Sequence, residues 1–356
     1  MAQVPLTDYG YANARVRAMT SRLLDEATFA NLVEAKDDTE VLNLLDSTDY
    51  GREIEESLVE GKRPSVIDRA FNINIARNFR KLREFFVGDP QELLARMLSR
   101  WDLYNLKTIL RGKKSLVSAG EISRVLVPAG DLDLVTLEEL FRQPDLRAAI
   151  DAIATFSTTW RIPYGSALRQ GLSPFLKEHD LSILERALDE MHYTSVLQHV
   201  KGNDINAELV RRVIVMDIDI INILTLLRTR GLELGKERAR LFFVAGGTLD
   251  LHSYLSLAEA RERDEIVTAQ ALYPYRKALT PALAGFEEKG DVAFQDELEK
   301  YMIRECLKMD TDPLSIGVII AYMWRKYLEV TNLRVIVRGK SIGLIPTQIR
   351  KELVTL

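Results

Sequence analysis

The chain has 356 residues, of which 47% are hydrophobic and 28% are charged, so it can bury a sizeable core. Its 48 basic and 52 acidic residues give a net charge of −4, and this balance disfavours nucleic-acid binding because no overall positive field is present. Cys306 is the single cysteine. An intrachain disulfide and a cysteine-rich zinc site are therefore excluded, and a reducing compartment is compatible with the sequence.

Two features predict that the chain does not cross a membrane. Residues 1–19 contain no apolar core of signal-peptide length. The longest apolar run, Ile316 to Trp324, is far shorter than the roughly 20 residues of a spanning helix.

The first part of the chain predicts a layer of helices. Glycine and proline are sparse, and apolar residues recur at helical spacing along most of the sequence, which indicates an all-α protein. The first helix is predicted to open after Asp8, with Asn13 among its polar positions. Short helices are expected near 27–35 and 38–46, followed by a turn at Tyr50-Gly51 and a helix over about 66–86.

The end of that last helix is basic. Its cationic residues alternate with apolar and aromatic ones and are Arg77, Arg80, Lys81 and Arg83. A solvated face over a packed one is the simpler interpretation, and contact with acidic lipid headgroups or with a partner is the alternative.

One twelve-residue stretch occurs three times. Residues 102–113 (DLYNLKTILRGK) recur as 219–230 (DIINILTLLRTR) and as 329–340 (EVTNLRVIVRGK). In each copy an acidic residue lies three positions before an asparagine, and an arginine lies six positions after it. The asparagines are Asn105, Asn222 and Asn332, and the arginines are Arg111, Arg228 and Arg338. Such spacing predicts three versions of one unit.

The register of the repeat extends beyond this stretch. At an offset of 117, residues 66–71 align with 183–188, and residues 130–134 align with 247–251. Pro163-Tyr164 aligns with Pro274-Tyr275 at an offset of 111, and Tyr50-Gly51 matches Tyr164-Gly165. We therefore predict three helical repeat units, 1–130, 131–247 and 248–356.

A long helix is predicted in each unit. The expected N-terminal caps are Asp89 and Asp312, each followed by a proline, and Asn203 or Asp204 in the middle unit. Gly112, Gly231 and Gly339 are expected to end the helices in a left-handed conformation. In the third unit this predicts about 26 residues, Pro313 to Arg338, or roughly 39 Å. The β-branched run Val213 to Ile223 permits a strand, but the caps and the register favour a helix.

The asparagine and the arginine of each repeat are predicted to have different roles. The asparagines are predicted to be structural, each bonding the backbone of an adjacent helix in its own unit, because an unpaired buried amide would cost roughly 1–3 kcal/mol. Arg111, Arg228 and Arg338, with basic neighbours Lys113, Arg230 and Lys340, either complement the helix dipoles or form three basic points on one rim that contacts a partner. We retain both interpretations and treat these three arginines as candidate partner contacts.

No catalytic, cofactor or metal site is predicted. Gly112-Lys113 and Gly339-Lys340 resemble pieces of a phosphate-binding loop, but both follow a helix where such a loop must precede one. His192 and His199 share a helical face at a spacing that metal sites do not favour. Nucleophile-elbow and zinc-protease motifs are absent from the sequence.

The sequence as a whole resembles the C subunit of archaeal and bacterial V/A-type ATPases, whose eukaryotic counterpart is the d subunit. The resemblance rests on residues 11–19 (YANARVRAM), on the three long helices with their asparagine and arginine, and on residues 324–334 (WRKYLEVTNLR). It implies a funnel-shaped, all-helical protein of three similar domains in pseudo-threefold arrangement, without catalytic residues.

That resemblance also implies a role and partners. The protein would be a socket between the central stalk subunits and the membrane proteolipid ring, peripheral on the cytoplasmic face of the cell membrane. It would transmit torque between ATP turnover and ion transport, without binding nucleotide itself. A helical-repeat scaffold of another complex is the alternative from a different class, and an all-α enzyme is a third.

Overall fold

The computed structural model describes residues 9–60, 65–230, 232 and 235–355. Within these residues the regular structure is helical throughout and contains no strand, which confirms the predicted all-α class. The run from Val213 to Ile223 lies inside one helix, so the propensity of its β-branched residues is overridden by the tertiary context.

The first nine helices precede residue 157. They are α1 (Tyr9–Thr20), α2 (Glu26–Glu34), α3 (Asp38–Asp46), α4 (Gly51–Glu60), α5 (Ser65–Arg83), α6 (Asp89–Lys114), α7 (Ala119–Val125), α8 (Leu134–Arg142) and α9 (Leu146–Phe156). A short 3₁₀ segment, Ser157–Thr159, follows.

The remaining helices complete the described chain. They are α10 (Tyr164–Glu178), α11 (Ser182–His199), α12 (Ile205–Thr229), α13 (Gly235–Arg240), α14 (Leu251–Leu257), α15 (Arg263–Thr268), α16 (Arg276–Ala284), α17 (Phe286–Lys289), α18 (Val292–Leu307), α19 (Gly317–Ser341) and α20 (Pro346–Glu352). A 3₁₀ segment, Gln270–Tyr275, joins α15 to α16.

The described residues form two compact units. One contains the chain up to Arg161 together with Met309–Thr355, and the other contains Ile162–Lys308. In the first unit α1, α3 and α5 pack on α19, whose first eight residues are all buried. In the second unit α10 packs on α11, and α18 packs on both α12 and α16. The three-unit division at residues 130 and 247 stays a prediction.

The first helix is fixed to the segment before α19 by a side chain that the sequence placed on a polar face. Asn13 is 1% exposed, and its Nδ2 donates to the carbonyl oxygens of Pro313 and Ser315, both at 2.8 Å. A buried amide with backbone acceptors is stable where an unpaired one is not. Asn13, predicted only as one of the polar positions of α1, is therefore a buried anchor of that helix.

The predicted helix starts are right in the middle unit and displaced in the other two. Asp204 caps α12 by accepting from the backbone of Asn206 and Ala207. Asp89 lies inside the first turn of α6, whose N-cap is Gly88 without a side-chain cap. Asp312 accepts from the Leu314 N–H in the segment before α19, and that helix begins at Gly317, four residues later than predicted. The Pro313 carbonyl is engaged by Asn13 instead.

The predicted left-handed stops are wrong at two of the three glycines, and Gly231 lies outside the described residues. Gly112 and Gly339 are helical, and the left-handed residues are Leu116 (φ 55°) and Gly343 (φ 78°). A Cβ on Gly112 would lie 2.5 Å from Ile122 Cδ1, and one on Gly339 would lie 2.8 Å from Ile349 Cγ1. Both glycines therefore serve the close packing of the following short helix.

In the first layer of helices, before residue 65, one helix was not predicted. The sequence predicted only a turn at Tyr50-Gly51, whereas α4 begins at Gly51. A Cβ at Gly51 would lie 2.0 Å from the Asp46 carbonyl oxygen, so the glycine allows α4 to start directly against the end of α3.

Candidate partner interface

The three candidate arginines lie in the last turns of the long helices α6, α12 and α19, and all three are exposed. Arg228 Nη2 donates to Gln295 Oε1 at 3.2 Å, and Arg338 Nη2 donates to Asp68 Oδ2 at 2.8 Å while its side chain stays 62% exposed. A cation here suits the negative end of a helix. All three side chains are also accessible to another molecule, so the structure is compatible with both interpretations.

Their basic neighbours are used within the chain. Lys113 Nζ donates to the Gln143 carbonyl oxygen, and Arg230 Nη1 donates to the Arg261 carbonyl oxygen at 2.7 Å. Lys340 is 8% exposed. These second cations tie the helix ends to neighbouring backbone or lie buried, so the arginines are the better candidates for contact with another molecule.

The three repeated asparagines form one recurring structure, which we call the amide clamp. Asn105 Nδ2 donates to the Val127 carbonyl oxygen at 2.7 Å, and the Val127 N–H donates to Asn105 Oδ1 at 2.8 Å. Asn222 and Asn332 make the same two bonds with Val244 and Val354, at distances from 2.8 to 3.1 Å. In each case the valine lies 22 residues after the asparagine.

The amide clamp confirms a structural use of the asparagines and corrects the kind of partner. The valines lie in non-helical segments that follow a short helix or turn, where their backbone groups have no helical partner. Asn105 and Asn222 are fully buried, whereas Asn332 is only partly buried. Each clamp thereby fixes a long helix to the backbone beyond the next element.

The acidic residues of the first two repeats hold the loop after the clamp. Asp102 accepts from the backbone N–H groups of Asp131 and Leu132 at 2.9 and 3.0 Å. Asp219 accepts from the Thr248 hydroxyl and the Leu249 N–H, which correspond to Asp131 and Leu132 at the repeat offset of 117. It also accepts from the Tyr275 hydroxyl at 2.8 Å. Burial raises the pKa of Asp102 to about 7, although its two backbone hydrogen bonds oppose that rise.

The third repeat uses its acidic residue differently. Glu329 accepts from the Leu24 N–H, from the Tyr50 hydroxyl and, at 2.8 Å, from Lys326 Nζ. Lys326 also donates to the Tyr50 hydroxyl at 2.9 Å and lies 4.0 Å from the centre of that ring. Burial lowers the pKa of Lys326, which the charge of Glu329 opposes, and burial with the nearby Glu329 raises the pKa of Tyr50.

Sequence reasoning missed this buried network because its members are about 280 residues apart in the chain. In the sequence, Tyr50 indicates only the repeat and a turn, and Lys326 belongs to none of the spaced motifs. One signal was present: at the repeat offsets Lys326 aligns with Ser99 and Met216, so a charge stands where the other two helices carry none.

The remaining chemical motifs have structural roles. The two Gly-Lys pairs lie within the last turns of α6 and α19, where carbonyl groups rather than amides face outward, so neither forms a phosphate loop. His192 Nδ1 bonds the Tyr164 hydroxyl at 2.7 Å, and His199 Nδ1 bonds the Ser195 carbonyl oxygen at 2.7 Å. In the described ranges, no group of three or more His, Cys, Asp or Glu residues is placed to hold a metal ion.

None of the helices in the described part of the chain has the length and apolar character of a membrane span.

Comparisons with known proteins agree over nearly the whole chain. Residues 12–352 match the family model of the ATP synthase (C/AC39) subunit. The C subunit of the A-type ATP synthase of Methanococcoides burtonii is 31% identical over 364 residues, which cover 98% of this chain and 94% of the relative. The corresponding protein of Methanosarcina acetivorans is 29% identical, with the same coverage of each chain.

A bacterial relative is similar to the same extent. The C subunit of the V-type ATP synthase of Deinococcus radiodurans is 28% identical over 347 residues, covering 97% of this chain and 91% of the relative. With the matched family model spanning all three repeats, the chain belongs to the ATP synthase (C/AC39) subunit family.

Proposed function

We propose that the chain is the non-catalytic C subunit of a V/A-type ATP synthase, and that it joins the central stalk subunits to the membrane proteolipid ring on the cytoplasmic face of the cell membrane. Its relatives are named as the C subunits of A-type or V-type ATP synthases, and the similarity covers almost the full length of both chains. In this role the chain transmits torque and needs no cofactor or nucleotide of its own.

The observation that carries the mechanical part of the proposal is the amide clamp in all three repeats. A torque transmitter must resist twisting, and a helix of about 25 residues that is held only at its base would bend. Each clamp adds two hydrogen bonds in the second half of such a helix, and two of the three clamps are fully buried. Buried hydrogen bonds fix a single geometry because leaving them unmade is costly.

The proposed architecture is three similar helical units around a pseudo-threefold axis with a central cavity. Such a socket would receive a stalk at one face and a ring at the other. Stalk and ring differ in symmetry, so the contacts would be broad and would not require a reactive pocket. The exposed arginines at the ends of α6, α12 and α19 are candidate contacts to one of these partners.

The direct test is removal and return of the chain. ATP synthase complexes lacking it should retain ATP hydrolysis in the detached head while ATP-driven ion pumping disappears, and added protein should restore pumping. Ion pumping can be followed in proteoliposomes with a pH-sensitive or sodium-sensitive dye. Continued pumping in the absence of the chain would refute the socket.

The arginine contacts have a separate test. Charge reversal of Arg111, Arg228 and Arg338 to glutamate should weaken reassembly of the chain into the ATP synthase if the ends of α6, α12 and α19 contact a partner. A matched control reverses Arg52, Arg142 and Arg147, which are 72%, 69% and 66% exposed and pair with a carboxylate one turn away. Equal reassembly of both triple variants, with folds confirmed by circular dichroism, would leave the three arginines as helix-end structure.

The alternative, a scaffold of some other complex, is distinguished by copurification. A tagged rotor socket should bring down ATPase head and ring subunits from solubilised membranes. A different set of partners would favour the scaffold, and a cross-linking map of the complex would assign the faces.

A further inference from the structure

A polar cavity of about 250 Å³ lies beside α1, α5 and α19 in the first compact unit. Four cationic side chains line it, Arg22, Arg77, Lys81 and Lys326, with one carboxylate, Asp49. Lys326 is 1% exposed, so a buried ammonium group borders this space. The interface described above makes no use of the cavity.

Two of the four cations are already paired. Arg77 lies 2.8 Å from a Glu53 oxygen and 3.4 Å from an Asp49 oxygen, and Lys326 is paired with Glu329. Among the residues that the structure describes, Arg22 and Lys81 form no ion pair, and both are exposed toward solvent. Four positive groups against three carboxylates leave a positive surplus at the cavity mouth.

The fold does not require these charges. At the repeat offset of 117, Arg77 corresponds to Thr194 and Lys81 to Gln198 in α11, which forms the same kind of helix without them. Lys326 corresponds to Met216 in α12. The cationic cluster is therefore a property of this cavity and not of the repeated helix.

We propose that this cavity binds a small anion of the phosphate class, held by Arg22 and Lys81 at the mouth with Lys326 beneath. Ammonium and guanidinium groups form strong charge-assisted hydrogen bonds with phosphate oxygens. The volume is below the roughly 300–1,000 Å³ of pockets that enclose larger organic ligands, which favours an inorganic phosphate or pyrophosphate over a nucleotide. Asp49 is held by Arg77 and by Asn78 Nδ2, which reduces its repulsion of an anion.

Isothermal titration calorimetry of the full chain with inorganic phosphate and pyrophosphate, at about 0.1 M salt, tests this site. Lys81→Gln and Arg22→Gln should each weaken pyrophosphate binding by about 5- to 10-fold, since each removes one exposed cationic contact. The matched control is Arg80→Gln, an exposed cation on the same helix outside the cavity lining, and it should leave binding unchanged.

A second arm separates two sources of the phosphate group. Sedimentation with phosphatidylcholine vesicles containing phosphatidic acid should show no binding, because the proposed ligand is a free anion in a concave site. Vesicle binding that is lost in Lys81→Gln, without binding of free pyrophosphate, would assign the phosphate group to a lipid. Absence of binding in both arms, or an equal effect of Arg80→Gln and Lys81→Gln, would overturn the proposal. Neither arm depends on the ATP synthase role.

Discussion

The long helices α6 and α19 are built on the same repeat and differ in how they use its acidic residue. Both hold a downstream valine through an amide clamp with the same two hydrogen bonds. Asp102 on α6 then accepts from the backbone N–H groups of Asp131 and Leu132, about 30 residues further along the chain. Glu329 on α19 instead accepts from Leu24 and Tyr50, far away in the sequence, and from Lys326. The clamp is thus common to both helices, whereas the acidic residue has different partners in each.

The difference follows from side-chain length and from one substitution. Glutamate has one methylene group more than aspartate, so it reaches beyond the backbone that flanks its own helix. Lys326 stands where the first repeat has Ser99, and its ammonium group compensates the buried carboxylate. A buried ion pair is stable only when its remaining hydrogen-bonding groups are satisfied, as Tyr50 and the Leu24 N–H satisfy them here.

Removing the carboxylate of α19 should have the largest effect. Glu329→Leu leaves Lys326 buried without its counter-ion and should lower the free energy of unfolding by about 3–5 kcal/mol. The double variant Lys326→Met, Glu329→Leu removes both charges, with methionine as found at Met216, and should recover much of that loss. Urea denaturation followed by circular dichroism measures both. A loss below about 1 kcal/mol in the single variant would show that the pair contributes little.

The amide clamp offers a test because its copies make the same two hydrogen bonds and differ in burial. Asn222→Leu should cost roughly 1–3 kcal/mol of unfolding free energy, because the Val244 N–H and carbonyl groups lose their partner in a fully buried site. Asn332→Leu should cost less, since its clamp is partly exposed and water can replace the amide. Thermal and urea unfolding of both variants measure the two losses of unfolding free energy. Equal losses of unfolding free energy in the two variants, or an Asn222→Leu variant as stable as the parent, would contradict the role of burial.

The clamps also show how far the sequence predicted the site. The motif spacing was enough to identify the three asparagines and their structural use. It did not give the valine partners, because the segments around Val127, Val244 and Val354 have no helical or strand period to locate them. Charge spacing correctly placed the arginines at exposed helix ends, while their contact with a partner stays a prediction.

The fold was predicted in class and in the positions of the three long helices and of four helices near the start of the chain, but glycines were misinterpreted. A glycine after an apolar period indicates either a left-handed stop or a close contact, and the two uses look alike in one sequence. At Gly112 and Gly339 the close contact was the correct one. The Lys326–Glu329–Tyr50 network could not be predicted either, because it depends on packing between segments far apart in the chain.

A pH series tests the burial of Asp102 on α6. Its pKa of about 7 in the folded protein lies above the ordinary value of 3.8, so the folded state binds the proton more tightly than the unfolded chain. The stabilisation from protonation is complete below about pH 4 and is lost as the pH rises through 7. Between pH 5.5 and 7.0 this group should lower the free energy of unfolding by about 1–2 kcal/mol.

The control for that series is Asp102→Asn, which cannot titrate. Its stability should change less than that of the parent over the same interval, whatever its absolute stability. Urea denaturation at several pH values gives both curves. Parallel curves would show that Asp102 stays ionised when buried, held by the Asp131 and Leu132 N–H groups.

The smallest expected effects concern the glycines that α6 and α19 share. In Gly112→Ala the new methyl group would lie 2.5 Å from Ile122 Cδ1, and in Gly339→Ala 2.8 Å from Ile349 Cγ1. Such overpacking costs about 1–3 kcal/mol, and the better helix propensity of alanine offsets about 1 kcal/mol of it. Because the opposing atoms belong to side chains that can move, we expect a net loss below about 1 kcal/mol, larger for Gly112→Ala.

Gly120→Ala provides the matched control, since a Cβ at this position of α7 meets no atom within 4 Å. It should stabilise the protein by about 0.4–1 kcal/mol through the lower entropy of the unfolded chain. The double variant Gly112→Ala, Ile122→Val should be less destabilised than the sum of its single variants predicts, because the shortened side chain makes room for the methyl group. Strictly additive losses would show that Gly112 does not serve this contact.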